Sequence, residues 1–65
     1  MRTISDDAPV RLYHLDYEGG VATTIVYGPL SAALAMAAAE SEEVQAGLYL
    51  QTSNDVVSYL DYVEG

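Results

Sequence analysis

The 65-residue chain has no cysteine, no phenylalanine and no tryptophan, and its two basic residues, Arg2 and Arg11, leave it without lysine. Each absence removes a class of function. Without cysteine there are no disulfides, thiolate zinc sites or cysteine nucleophiles, which fits a reducing cytoplasm. Ten carboxylates against two arginines give a net charge of −8. Direct nucleic-acid binding is disfavoured, because phosphate contacts need lysine and arginine to displace counterions. An anionic membrane surface is disfavoured for the same reason. At this length a single domain buries only about 60% of its unfolded surface, leaving little material to enclose an active-site pocket. Met1 to Pro9 lacks the basic and apolar regions of a secretory signal. The longest helical stretch is apolar for about ten residues, short of the roughly 20 that a bilayer requires, so the chain is expected to be soluble and intracellular.

Catalytic and metal-binding patterns are equally scarce. His14 is the lone histidine, so no His-based metal set can form around a second one. Asp16 lies two positions along the same strand and could orient the imidazole, yet no serine occupies a nucleophile elbow and a structural role for His14 is favoured. Asp6-Asp7 and Glu40 to Glu43 lack the alternating ligands and central glycine of a calcium loop. Gly19-Gly20 opens a strand rather than a helix, and no lysine follows, so it is not a phosphate loop. The expectation is a protein that is not an enzyme and uses no cofactor or metal.

What is present reads as a small α+β fold. Met1 to Pro9 is polar and resembles a loosely held tail, with a short edge strand possible at Thr3 and Ile4. Val10 to Tyr17 alternates, Gly19-Gly20 supplies turn conformations, and Val21 to Tyr27 is β-branched and aromatic, which predicts a hairpin with either Glu18-Gly19 or Gly19-Gly20 at its tip. In both registers Val10, Leu12, His14 and Asp16 share a face with Val21, Thr23, Ile25 and Tyr27. Tyr13, Leu15 and Tyr17 share the other with Ala22, Thr24 and Val26.

Pro29 to Glu43 predicts an alanine-rich helix, with Pro29 in its first turn or Ser31 as N-cap and a stripe of Leu30, Ala33, Leu34, Ala37 and Ser41. Glu40, Glu42 and Glu43 then fall at its C-terminus, where the macrodipole disfavours them; they serve either solubility or a partner. Val44 to Thr52 alternates as a strand, and Ser53-Asn54-Asp55 is a turn cluster. Val56 to Val63 fits a strand, which is preferred, or a helix capped by Ser53 or Asn54. The expected order is ββαββ, a small antiparallel sheet with one helix across one face.

Six tyrosines with no other aromatic suggest half-exposed rings, since a buried hydroxyl needs a partner. Were the helix to cover Leu12, Ile25, Leu48 and Leu50, then Tyr13, Tyr17, Tyr49 and Tyr59 would occupy the open face with Asp61 among them. Tyrosines among carboxylates suit a protein-binding surface, although tyrosine also simply favours strands. Acidity can serve solubility alone; it also attracts a basic partner.

In size, acidity and element order, the hairpin YHLDYEGGVATTIVY, the helix SAALAMAAAESEE and the hairpin GLYLQTSNDVVSYLDYVEG resemble the small phage-encoded anti-CRISPR proteins that act on type I systems. The resemblance implies an inhibitor in the bacterial cytoplasm that blocks a basic nucleic-acid-binding surface, such as that of a Cas subunit, by charge mimicry. The expected partner-binding set is Asp16, Glu18, Glu40, Glu42, Glu43, Asp55 and Asp61, with Tyr13, Tyr17, Tyr49 and Tyr59 as anchors. A second expectation is a structural domain that self-associates, a homodimer joined through Ala32, Ala35, Met36 and Ala39.

Overall fold

Strand β1 (Pro9–Leu15) occupies a central position because its alternate residues, Val10 and Leu12, are fully apolar and are buried. In the computed structural model, which describes residues 5, 7–16 and 18–64, β1 pairs antiparallel with β2 (Ala22–Pro29) on one side and with β3 (Leu48–Gln51) on the other. Strand β4 (Val56–Ser58) pairs with β3, giving a four-stranded antiparallel sheet of order β2-β1-β3-β4. Helix α1 (Leu30–Ala38) packs over β1 and β2, and α3 (Tyr59–Glu64) packs over β3 and β4. A single turn of helix, α2 (Glu42–Gln45), links α1 to β3. This is the α+β class expected. The core joins Val10, Leu12, Leu48 and Leu50 of the sheet to Leu30, Ala33 and Ala37 of α1 and Tyr59 of α3. Of the expected tail, Pro9 already opens β1 and Ala8 accepts a hydrogen bond from the Leu30 N–H (3.0 Å); Thr3 and Ile4 lie outside the described residues.

The first hairpin pairs in the register centred on Glu18-Gly19, with His14 opposite Thr23 and Leu15 opposite Ala22. Its tip is wider than two residues. The Asp16 N–H donates to the Val21 carbonyl (2.8 Å), and Gly20 takes a φ of +66°, open to glycine at little cost.

Sidedness departs from expectation further along. Leu12 faces Val26 while Tyr13 faces Thr24, so Ile25 has no partner of its own and forms a β-bulge. One extra residue inverts the alternation beyond it. Val26 therefore joins Leu12, and Ile25 and Val26 both pack against the core. Tyr27, expected on the covered face, stands opposite Arg11 on the open face and is 73% exposed.

The predicted helix to Glu43 is two helices. Helix α1 ends at Ala38, its last turn tightened by Ala39 N–H to Met36 O (3.2 Å) and Glu40 N–H to Ala37 O (3.1 Å). Ser41 then starts α2 as its N-cap, its hydroxyl accepting from the Val44 N–H (3.4 Å). The Gln45 amide reaches back to the end of α1, donating to the Ala37 carbonyl (3.0 Å) as a second donor beside the Glu40 N–H and to the Ala38 carbonyl (3.5 Å). Glu42 and Glu43 thus occupy a helix first turn, where the macrodipole favours them, rather than a C-terminus. Val44 and Ala46, expected to open the strand, belong to α2 and its C-cap.

Val56 to Val63 divides between the two readings. Residues Val56–Ser58 form β4, and the helix α3 starts at once, capped by neither Ser53 nor Asn54 but by Ser58, whose hydroxyl accepts from the Asp61 N–H (3.2 Å). The turn before β4 closes through Thr52, whose N–H donates to the Asp55 carbonyl (2.8 Å) and whose hydroxyl accepts from Asn54 and Asp55 N–H.

Candidate functional site

With α1 and α3 on one side of the sheet, its other side is open. The residues that β-alternation sends there are Arg11, Tyr13 and Leu15 from β1, with Tyr49 and Gln51 from β3. Tyr13 and Tyr49 are directly opposite in register, and their rings stack at 5.6 Å between centroids and 19° between planes. The Arg11 guanidinium lies 4.6 Å from the Tyr13 centroid. Its Nε donates to the Thr24 hydroxyl (2.8 Å) and its Nη1 to the Gln51 side-chain oxygen (3.3 Å). This arrangement holds a cation over an aromatic face while Nε and Nη1 donate within the sheet.

At the Leu15 end of β1 the sheet runs into the α1–β3 connection. The Leu15 N–H donates to the Gly47 carbonyl (2.9 Å), which ties the chain just after α2 to the end of β1 at the first hairpin. Between them opens a cleft walled by His14, Asp16, Glu18, Glu43 and Tyr49. Carboxylates that are 25 residues apart in sequence, Glu18 and Glu43, thereby line one cleft. Glu40 and Glu42 stand on the same connection, immediately before Glu43. The Asp16 carboxylate also accepts from the Glu18 N–H (3.1 Å), which fixes the start of the loop that carries Glu18. All five carboxylates are exposed. Among the described residues, no group of three histidine, cysteine or acidic side chains is arranged to hold a metal ion.

The remaining expected site residues lie elsewhere. Asp55 sits in the β3–β4 turn, at the opposite end of β3 from Gly47. Asp61 is exposed on α3 and is not among the open-face tyrosines. Tyr59 is corrected outright: it is 7% exposed and belongs to the core, because Ser58 turns the chain into a helix and points the ring under it. Tyr17 lies outside the described residues. Arg11, Gln51 and Tyr27 lie on the open face and were absent from the expected site. The alternation of β1 placed Arg11 beside Tyr13 and was a sufficient signal for it. The bulge that exposes Tyr27 has no comparable signature.

No helix among the described residues is long and apolar enough to cross a membrane. Comparison with family models, with curated proteins and with solved structures gives no match for this chain.

Proposed function

We propose that this chain is an acidic protein-binding inhibitor of the bacterial cytoplasm, which occupies a basic, nucleic-acid-binding surface in place of phosphates. The resemblance to anti-CRISPR proteins makes a type I CRISPR–Cas complex the first partner to test. The observation that carries the reading is the convergence of Asp16 and Glu18 with Glu43 around one cleft, next to Glu40, Glu42 and the Tyr13–Tyr49 stack. Exposed carboxylates concentrated at one end give a field that speeds encounter with a basic surface. Stacked tyrosines supply apolar contact area and slow dissociation. The action proposed is binding alone, with no chemical step. It is tested by measuring DNA binding of purified type I effector complexes with increasing amounts of the protein. The expected result is loss of DNA binding at low salt and partial recovery at high salt. Unchanged DNA binding across effector complexes of the type I subtypes would overturn the CRISPR assignment.

One observation favours a second reading, self-association through α1. Its outer side is apolar, with Ala35, Met36 and Ala39 exposed and Met36 42% accessible. Light scattering after size exclusion separates the two: a concentration-independent monomer removes the dimer.

A further inference from the structure

The stack on the open face has a direction. It begins with the Arg11 guanidinium, passes through Tyr13 at 4.6 Å and continues to Tyr49 at 5.6 Å. Tyr49 also lines the acidic cleft, so the stack ends at a cleft that Asp16, Glu18 and Glu43 line as well. Among the described residues, no lysine or arginine lines that cleft. A tyrosine face attracts a cation through its quadrupole, and neighbouring carboxylates attract it by charge. The cleft, with a volume of about 680 Å³, admits a long side chain.

Between the two cationic side chains, the geometry favours arginine. Its planar guanidinium stacks on tyrosine, as Arg11 already does on Tyr13 within the same sheet, and its fork can address two carboxylates together. The lysine ammonium is more strongly hydrated and does not stack. We infer that the cleft seats an arginine side chain of the partner, stacked on Tyr49 and bracketed by Asp16, Glu18 and Glu43. The partner surface is then one that presents a protruding arginine, rather than any diffuse basic patch. This rests on the protein-binding reading above and names its anchor. The occupant is a basic protein, on the grounds of charge complementarity between a guanidinium and the three carboxylates that line the cleft.

The test is a titration of the isotope-labelled full chain, at low ionic strength, with a blocked peptide carrying two arginines, its two-lysine counterpart and its two-citrulline counterpart. Amide shifts around Leu15, Glu43 and Gly47 are expected with the arginine peptide, with an affinity about 2–5-fold above that of the lysine peptide and none for citrulline. Tyr49→Leu is expected to reduce arginine affinity to the lysine level, while Tyr49→Phe keeps the ring and the preference, which separates loss of the ring from loss of the fold. Asp16→Asn with Glu43→Gln weakens both cationic peptides. Equal binding of arginine and lysine, or an arginine affinity untouched by Tyr49→Leu, overturns the arginine seat but leaves acidic binding standing. If neither cationic peptide binds anywhere on the protein, both readings fall.

Discussion

Gly47 and His14 meet at the point where the sheet and the α1–β3 connection close on each other. A Cβ on Gly47 would lie 2.7 Å from His14 Nε2 and 3.1 Å from the Leu15 carbonyl oxygen. Gly47→Ala is therefore expected to destabilise the fold by about 1–3 kcal/mol through overpacking, read as a lower urea midpoint with an unchanged slope. Tyr59 gives a sharper case. Its ring fills the core beneath α3, so Tyr59→Ala should cost about 3–5 kcal/mol, a large part of the stability available to any small domain. A Tyr59→Ala chain that keeps native chemical-shift dispersion and its urea midpoint would contradict that burial. Tyr59 was misplaced from sequence for a definite reason. Val56 to Val63 carries alternation and a helical stripe at once, and only the Ser58 hydroxyl, by capping Asp61, decides where one gives way to the other. Leu12, Leu48 and Leu50, by contrast, sit where period-two alternation puts them, and all are fully buried.

At the scale of elements, the α1–α2 break shows how a right principle misleads when a boundary is wrong. Read as one helix from Pro29 to Glu43, the glutamates oppose the macrodipole; read as the start of α2, they follow it. Ser41 followed by two glutamates is a helix-start signal that was present in the sequence, though the surrounding alanines favoured continuation. The two arrangements predict opposite signs. Glu42→Gln with Glu43→Gln should lower stability by about 0.3–1 kcal/mol per residue, and Ser41→Ala by about 1 kcal/mol, both measured by denaturant unfolding. A gain in stability on neutralising the pair would indicate a continuous helix. The bulge at Ile25 is the second element-level departure. Nothing in ATTIVYGP distinguishes a regular edge strand from a bulged one, because β-branched residues run through the whole segment and offer apolar side chains to either face. The hairpin and its register near the tip were legible; the face of every residue past Ile25 was not.

At the scale of the whole molecule, with a net charge of −8, the carboxylates of the described residues are distributed unevenly. Asp16, Glu18 and Glu43 line one cleft, with Glu40 and Glu42 on the connection that carries Glu43, while Asp55 lies at the other end of the sheet and Asp61 on α3. The acidic total and the tyrosine content are legible in the sequence, but this convergence is not, because it follows from the pairing of β1 with β3, extended by the Leu15–Gly47 hydrogen bond. That distribution allows the proposed interface to be tested against charge in general. The decisive measurement is inhibition of DNA binding by a type I effector complex, compared between two charge-reversed chains shown to be folded. Asp16→Lys with Glu18→Lys and Glu43→Lys should abolish inhibition and flatten its salt dependence, whereas Asp55→Lys with Asp61→Lys should leave most of it in place. Equal loss from both sets, or full inhibition by the first, would contradict a binding site at the acidic cleft.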